Sequence, residues 1–153
     1  MKFLELKIPP VALFIVMLGL SYYVSTVFVN VLVEFPFRFY VFGGLVLIST
    51  YIGLAGVYEF RKRKTTVNPI KPEQASLVVD SGIFAYTRNP MYLGLFLVLF
   101  GFGYYLQNFF SISLSCLFVI YMNQFQIKPE EQALEALFGA SYVDYKQRVR
   151  RWV

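Results

Sequence analysis

Residues 87–106 have the sequence TRNPMYLGLFLVLFGFGYYL, in which a short polar turn leads directly into an uncharged apolar run. Asn89 followed by Pro90 is typical of a helix start, because Asn caps the first free N–H groups and Pro fits the first helical position. The apolar run predicts that this helix enters a bilayer. The positive end of its dipole, with Arg88 beside it, would then lie at the interface and favour an anionic ligand group.

The composition predicts an integral membrane protein. Of the 153 residues, 58% are hydrophobic and 15% are charged, whereas soluble domains carry roughly 25% charged residues. We expect a single membrane domain over residues 1–153, because the chain is too short for a second globular unit. The net charge of +5 is explained by basic residues on one side of a membrane, so no nucleic-acid partner is expected.

Two residue types limit the possible chemistry. The chain has no histidine and one cysteine. Catalysis or metal binding by imidazole is therefore excluded, as are an intrachain disulfide and a cysteine-based metal cluster. Cys116 lies in an apolar run and is expected to pack rather than to react. We predict no metal site.

Apolar segments predict an all-α membrane protein with about four transmembrane helices. The first two segments each exceed the roughly 20 residues that a helix needs to cross a bilayer. The third region, residues 91–127, is too long for one membrane pass and predicts a hairpin that turns near Gln107 and Asn108, with Ser111 as a cap. The four predicted passes are residues 8–33, 39–60, 91–106 and 110–127.

Basic residues lie almost entirely on one side of this arrangement. Of the 14 Lys and Arg residues, only Arg38 lies in the loop between the first two passes. The positive-inside rule therefore predicts that both termini and the linker of residues 61–90 are cytoplasmic. The basic run at 61–64 is interpreted mainly as an anchor for topology and lipid headgroups. Within the linker, the apolar Val78 and Val79 indicate that it folds back on the membrane.

Polar helices are predicted after the fourth pass, within residues 128–151. Glu130 and Glu131 in the first turn suit a helix N-terminus, and Gly139 suits a C-cap. A further helix at about 141–149 places three residues on one face: Tyr142, Tyr145 and Val149. Taken singly, these features also have structural explanations, since acidic residues complement a helix dipole and tyrosines line membrane interfaces.

Two motifs in this order carry a family resemblance. The first is GIFAYTRNPMYLG at residues 82–94. The second follows a helical hairpin and consists of spaced residues: Glu130, Glu131, Leu134, Phe138, Gly139, Tyr142 and Tyr145. Together they resemble the isoprenylcysteine carboxyl methyltransferase family, part of a wider group that includes membrane phospholipid N-methyltransferases. The resemblance covers about residue 65 to the last residue.

What the resemblance implies is a methyltransferase that uses S-adenosylmethionine and releases S-adenosylhomocysteine. The implied cofactor-binding residues are Tyr86, Thr87, Arg88, Asn89, Pro90, Tyr92, Leu93, Gly94, Glu130 and Glu131. The candidate catalytic residues are Arg88, Glu131 and Arg148, and the candidate substrate-binding residues are Tyr142, Tyr145 and Arg148. An arginine such as Arg148 would orient an anionic substrate head by a forked contact. Which glutamate faces the cofactor stays open, because successive helical residues lie about 100° apart.

One residue departs from the family pattern. The commonest family form has histidine between the arginine and the proline, whereas this chain has Asn89. Asparagine keeps a donor and an acceptor but does not titrate near neutral pH, so Asn89 can position a cofactor and cannot act as a general base. A carboxylate acceptor needs no base, because it is already ionised. Carboxyl O-methylation of an isoprenylcysteine-like substrate is therefore the leading hypothesis.

Other functions stay open as alternatives. An N-methyltransferase acting on a phospholipid or another small lipophilic amine would share the same site. An NADPH-dependent membrane reductase is disfavoured because the chain is short and has no G-x-G-x-x-G fingerprint. A non-enzymatic scaffold would not need the polar turn, and the predicted passes hold no Lys, Arg, Asp or Glu deep inside that would suit an ion path. The expected partners are a lipophilic substrate and membrane lipids, and the sequence does not indicate an oligomeric state.

Overall fold

The computed structural model describes residues 5–29, 33–63 and 75–153, and the described residues form helices and connecting turns without a strand. Their six α-helices are α1 (Pro10–Val27), α2 (Arg38–Lys62), α3 (Pro90–Tyr105), α4 (Phe109–Tyr121), α5 (Lys128–Phe138) and α6 (Ala140–Arg148). A 3-10 turn, Gly82–Ala85, precedes α3, and a π-helical segment, Met122–Ile127, joins α4 to α5. The predicted all-α membrane fold is confirmed. Residues 64–74 of the predicted linker lie outside the described residues.

Among the described residues, three helical stretches are long and apolar enough to cross a membrane: Pro10–Val27, Arg38–Lys62 and the continuous helix Phe109–Phe138. Helix α3 is apolar but has only 16 residues, which is about 24 Å. The hydrocarbon layer is roughly 30 Å thick. A fourth pass formed by α3 therefore stays a prediction, and such a pass brings its N-terminal turn close to the hydrocarbon boundary.

The first helix is shorter than its predicted pass, because α1 ends at Val27 and not near residue 33. Close to this end, the Ser25 and Thr26 hydroxyls donate to backbone carbonyls three residues earlier, at 2.7 and 2.8 Å. Such side-chain bonds compete with the helical ladder and help to end it. Helices α2 and α3 lie within two residues of the predicted segments 39–60 and 91–106, whereas α4 ends at Tyr121 and reaches residue 127 only through the π-helical segment.

The turn between α3 and α4 is capped by Asn108, and the cap predicted at Ser111 is wrong. Asn108 Oδ1 accepts from the backbone N–H of Ser111 at 3.1 Å, while Asn108 Nδ2 donates to the carbonyl of Phe28 at 3.1 Å. An amide has both a donor and an acceptor, so one side chain caps α4 and ties it to the end of α1. The Ser111 hydroxyl instead donates to the carbonyl of Ser21 at 2.8 Å.

Loop contacts show that α1, α2, α3 and α4 alternate in direction. The backbone N–H of Val33 donates to the carbonyl of Gln107 at 2.8 Å, and Arg38 donates to the Gln107 side chain at 3.0 Å. The α1–α2 loop and the α3–α4 turn therefore meet at one end of the bundle. At the other end, the Ser81 hydroxyl donates to the Glu59 carboxylate at 2.8 Å and fastens the linker to α2.

The close approach of α3 and α4 depends on Gly103, where a Cβ atom would lie 2.7 Å from the backbone nitrogen of Ile112. We expect Gly103→Ala to force the two helices apart at a cost of about 1–3 kcal/mol, and to lower the thermal unfolding midpoint in detergent. Gly53→Ala is the matched control, since a Cβ there meets no described atom within 4 Å. Equal midpoints for the two variants would contradict this account.

Candidate active site

A cavity lies where the turn before α3, the start of α5, helix α6 and the end of the linker meet. The space between its walls is about 850 Å³ when the part that opens to solvent is counted. Its charged side chains are Arg88, Glu130 and Glu131. Much of the remaining wall is apolar, formed by Phe60, Leu77, Val78, Val79, Phe84 and Leu134.

Glu131 joins the turn before α3 to the segment that follows α6. Arg88 Nη2 donates to Glu131 Oε1 at 2.8 Å, while Arg151 donates to both carboxylate oxygens, at 2.6 and 3.1 Å. The Arg88 and Glu131 side chains are only 9% and 8% exposed, so salt screens this pair weakly. The hydrogen bonds from Arg151 to Glu131 raise the pKa of the Arg151 guanidinium, which stays charged.

The neighbouring Glu130 has neutral partners. The Tyr92 hydroxyl and Gln126 Nε2 both donate to Glu130 Oε1, each at 2.6 Å. The sequence left open which of the two glutamates faces the site. Both line the cavity. They reach it from adjacent positions because Glu130 faces α3 while Glu131 faces the segment after α6.

The π-helical segment Met122–Ile127 lies directly before this acidic pair. Gln126 and Ile127 within it are buried, and Gln126 supplies one of the donors to Glu130. A π-helical turn adds a residue relative to an α-helical one, so it rotates the faces of α5 relative to α4, and such turns are frequent at functional sites. The sequence predicts α4 and α5 as separate helices and contains no signal for this segment.

Asn89 occupies the position before α3, but its predicted capping role is wrong. Its backbone (φ −129°, ψ 57°) is not the extended conformation of a capping residue, and its side chain makes no cap hydrogen bond. Instead, Asn89 Nδ2 donates to the carbonyl of Arg151 at 2.9 Å. Among the described residues, the first N–H groups of α3 are thus left without a side-chain cap.

Arg88 is held from two sides and still has an unpaired donor. Its Nη1 donates to the carbonyl of Lys146 at 2.9 Å, and its Nη2 donates to Glu131. The buried Arg88 Nε–H has no hydrogen-bond partner among the described residues. Because an unpaired buried donor is costly, this N–H indicates a position for an acceptor group of a ligand.

The two predicted tyrosines of α6 also line the cavity. Tyr142, Tyr145 and Val149 form a buried cluster with Val79 and Phe84, which confirms their common face. The Tyr145 hydroxyl donates to the carbonyl of Phe84 at 2.8 Å. Burial raises the pKa of both phenols well above the ordinary value of 10. They therefore stay protonated and serve as walls and hydrogen-bond donors, not as proton acceptors.

The structure brings most of the predicted site residues to the cavity wall: Arg88, Asn89, Pro90, Tyr92, Glu130, Glu131, Tyr142 and Tyr145. Thr87, Leu93 and Gly94 are buried but do not line it, and Tyr86 is 78% exposed. Gly94 packs α3 against α2, since its carbonyl accepts from the Ser49 hydroxyl at 2.8 Å.

Arg148 lies away from the cavity lining. Its side chain is 63% exposed and pairs with Asp80 at 3.2 Å. Helix α6 ends at Arg148, and the backbone then becomes extended at Val149, so that Arg151 and not Arg148 reaches Glu131. The sequence has three arginines within four positions and contains no signal that separates them.

The apolar wall was predicted only in part. Val78 and Val79 stood out as apolar residues in a polar linker, and the structure packs them over the cavity. Phe84 and Leu134 lie within the two motifs that carried the resemblance. Phe60 comes from the end of α2, and no local sequence pattern distinguishes it from the other aromatic residues of that helix.

Comparison with known proteins places these motifs in a family. The family model described as phospholipid methyltransferase matches residues 37–141. The chain belongs to this family. The matched part of this phospholipid methyltransferase family member includes Arg88 and both glutamates of the cavity, and a methyltransferase family implies a methyl donor. The resemblance drawn from the two motifs is thereby confirmed.

Two named relatives belong to fungi. The chain is 29% identical over 124 residues to protein-S-isoprenylcysteine O-methyltransferase of Schizosaccharomyces pombe, covering 80% of this chain and 52% of that protein. It is 27% identical over 108 residues to the protein of the same name in Saccharomyces cerevisiae, covering 69% and 44%. The chain therefore spans about half the length of these two relatives.

A third relative is shorter. The chain is 44% identical over 63 residues to an uncharacterized protein of Haemophilus influenzae, which covers 41% of this chain and all of that protein. No solved structure matches the chain significantly.

Removing the Glu131 carboxylate leaves the shielded Arg88 without its ion-pair partner. We expect Glu131→Ala to destabilise the protein by about 3–5 kcal/mol, the usual cost of breaking a buried ion pair. Glu135→Ala is the matched control one turn later, because Glu135 pairs with Lys146 at the surface, where such pairs contribute about 0–1 kcal/mol. Thermal unfolding in detergent measures both, and similar losses would contradict the structural role of Glu131.

Proposed function

We propose that this protein transfers a methyl group from S-adenosylmethionine to a lipophilic acceptor at the membrane surface. The observation that carries the proposal is the meeting of the Arg88 turn and the glutamate pair around one half-apolar cavity, in a chain of the phospholipid methyltransferase family. The names of the two fungal relatives support carboxyl O-methylation of an isoprenylcysteine-like acceptor.

The donor groups of the cavity fit S-adenosylmethionine. Its carboxylate needs N–H donors, and the unpaired Nε–H of Arg88 is one. The first N–H groups of α3, which have no side-chain cap, also suit an anionic group. Its ammonium and ribose hydroxyls need acceptors, which the Glu130 carboxylate offers. Its adenine is flat and aromatic, and the tyrosine pair of α6 provides a suitable surface.

S-adenosylmethionine, when bound, supplies a methyl group that its sulfonium already activates. The task of the chain is to hold the two reactants in line and to exclude water. The ion pairs of Glu131 fix the guanidinium of Arg88, so the cavity wall is arranged before the ligands arrive. Such alignment lowers a barrier by roughly 7 kcal/mol or more in favourable cases.

A carboxylate acceptor agrees with the residues present. It is ionised at neutral pH, so no side chain has to remove a proton, and Asn89 cannot do so. The apolar wall that includes Phe60, Leu77 and Leu134 suits a lipid tail, which gains little by leaving the bilayer for water. The proposed site does not include Arg148, which lies outside the cavity lining.

One observation favours an amine acceptor as the second candidate. Among the described residues, the hydrogen-bond donors to the Glu130 carboxylate are the neutral side chains of Tyr92 and Gln126, so this carboxylate can attract an ammonium group and take a proton from it. N-methylation of an amino phospholipid would use this carboxylate as the proton acceptor.

We also propose that residues 1–153 act as one domain with the cavity and both termini on the cytoplasmic side. The positive-inside rule supports this orientation. Arg38 contacts Gln107 at the end of the bundle opposite to the cavity, whereas Arg61, Lys62 and Arg63 lie at the cavity end of α2.

A direct test uses purified protein in detergent with labelled S-adenosylmethionine. We expect label transfer to a farnesylated cysteine analogue and none to its methyl ester, because the ester has no free carboxylate. Transfer to an amino phospholipid instead would favour the second candidate. If the protein does not bind S-adenosylhomocysteine in calorimetry and is thermally stabilised by NADPH, the result would contradict the methyltransferase proposal and favour a reductase.

The Tyr92 hydroxyl offers a sharper variant. We expect Tyr92→Phe to lower the rate of methyl transfer about tenfold or more, because it removes a hydrogen bond to a carboxylate, which contributes about 1.5–3 kcal/mol. Tyr104→Phe is the matched control on the same helix, since its hydroxyl donates to Pro36 at the far end. A comparable loss in both variants would show that Tyr92 matters for folding only.

A further inference from the structure

The segment Arg150–Trp152, which follows α6, is fastened across the turn before α3. The backbone N–H of Arg88 donates to the carbonyl of Arg150 at 3.0 Å, and Asn89 Nδ2 donates to the carbonyl of Arg151 at 2.9 Å. These bonds use backbone carbonyls of the segment and leave the Arg151 guanidinium free to reach Glu131. The segment therefore has a fixed place beside the cavity.

Trp152 fastens the other end of the segment. Its indole N–H donates to Asn123 Oδ1 at 3.0 Å, within the π-helical segment. Its ring packs edge-on against Phe96 at a centroid distance of 6.4 Å. It also packs against the buried cluster that contains Tyr92 and Met122. Arg151 thus lies between two anchored neighbours.

The guanidinium of Arg151 determines how Glu131 meets Arg88. Arg151 Nη2 donates to Glu131 Oε2 at 2.6 Å, and its Nε donates to Oε1 at 3.1 Å. Arg88 reaches only Oε1, through Nη2 at 2.8 Å. An arginine and a carboxylate readily form two parallel bonds, and a forked pair through Nε and Nη2 of Arg88 would consume the unpaired Nε–H. With Oε2 bound to Arg151, that fork does not form.

We propose that Arg151 is a positioning residue of the methyl-donor site: it holds Glu131 in a one-oxygen contact with Arg88 and so keeps the Arg88 Nε–H available for a ligand. This inference rests on the proposed function, because it assigns that donor to the methyl donor. Arg151 does not line the cavity and acts through Glu131. Without Arg151, Glu131 can turn both oxygens toward Arg88 and occupy the Nε–H that would otherwise contact the ligand.

Calorimetry with S-adenosylhomocysteine tests this on the full chain in detergent. We expect Arg151→Ala to weaken binding about tenfold or more, the effect of losing one charge-assisted hydrogen bond. Arg151→Lys keeps a donor for Oε2 and should recover part of the affinity. Arg61→Ala, which removes an exposed arginine of α2, should bind as the wild type does. Equal affinities for wild type and Arg151→Ala, or no recovery with lysine, would overturn the proposal.

A double-mutant cycle shows whether the effect passes through Glu131. In a Glu131→Gln background, Arg151→Ala should change the affinity by less than about twofold, since contacting residues that act as a unit are not additive. An undiminished effect in that background would contradict action through Glu131. A wild-type protein that binds no S-adenosylhomocysteine would instead refute the proposed function, and this inference with it.

The fluorescence of Trp152 supplies a separate readout, because it is the one tryptophan of the chain. If Arg151 acts on Glu131 alone, the emission maximum of Trp152 should be the same in Arg151→Ala and in wild type, while the affinity falls. A red shift that accompanies the loss of affinity would mean that the segment has come away from the turn. That result would replace the positioning role by a purely structural one.

Discussion

The carboxylate of Glu131 connects three parts of the chain that are far apart in sequence. It accepts from Arg88, before α3, and from Arg151, after α6, while Glu131 itself lies on α5. Two arginines on one shielded carboxylate cost desolvation energy that is recovered only with several good hydrogen bonds, and here three are present. Because the carboxylate is nearly buried, these bonds also fix where Arg88 points, and the polar side of the cavity depends on that.

Local signals in the sequence were enough for most of the helices, whereas the polar residues of the cavity were implied by the family resemblance. Pro90, the acidic first turn of α5 and the left-handed Gly139 (φ 57°) each act within a few residues of themselves, so their effects can be derived from sequence. The partner that a side chain finds in a distant part of the fold cannot be derived from sequence in this way. Asn89 and Arg151 show this, because the choice between capping α3 and holding a carbonyl 62 residues away depends on where α6 ends.

Asn89 is informative because the commonest form of the family has histidine there. In this structure the residue at that position donates one hydrogen bond to a backbone carbonyl. A neutral imidazole N–H can make the same kind of bond. Asparagine and histidine therefore share a neutral N–H donor at this position. Donating this hydrogen bond does not require a group that titrates. A site with such a donor suits a methyl acceptor that is already ionised when it binds, such as a carboxylate.

The shortness of α3 creates the room for this site. Pro90 begins α3 opposite Gly56 of α2, where an added Cβ would lie 3.2 Å from the proline ring. Helix α2 continues for six residues beyond Gly56, about 9 Å, and this projecting part carries both Glu59, which fastens the linker, and Phe60, which lines the cavity. Had α3 been as long as α2, its own first turns would fill that space. An apolar wall from α2 and the linker thus faces the charged start of α5 at the end of the bundle, which matches a molecule with a lipid tail and a polar head.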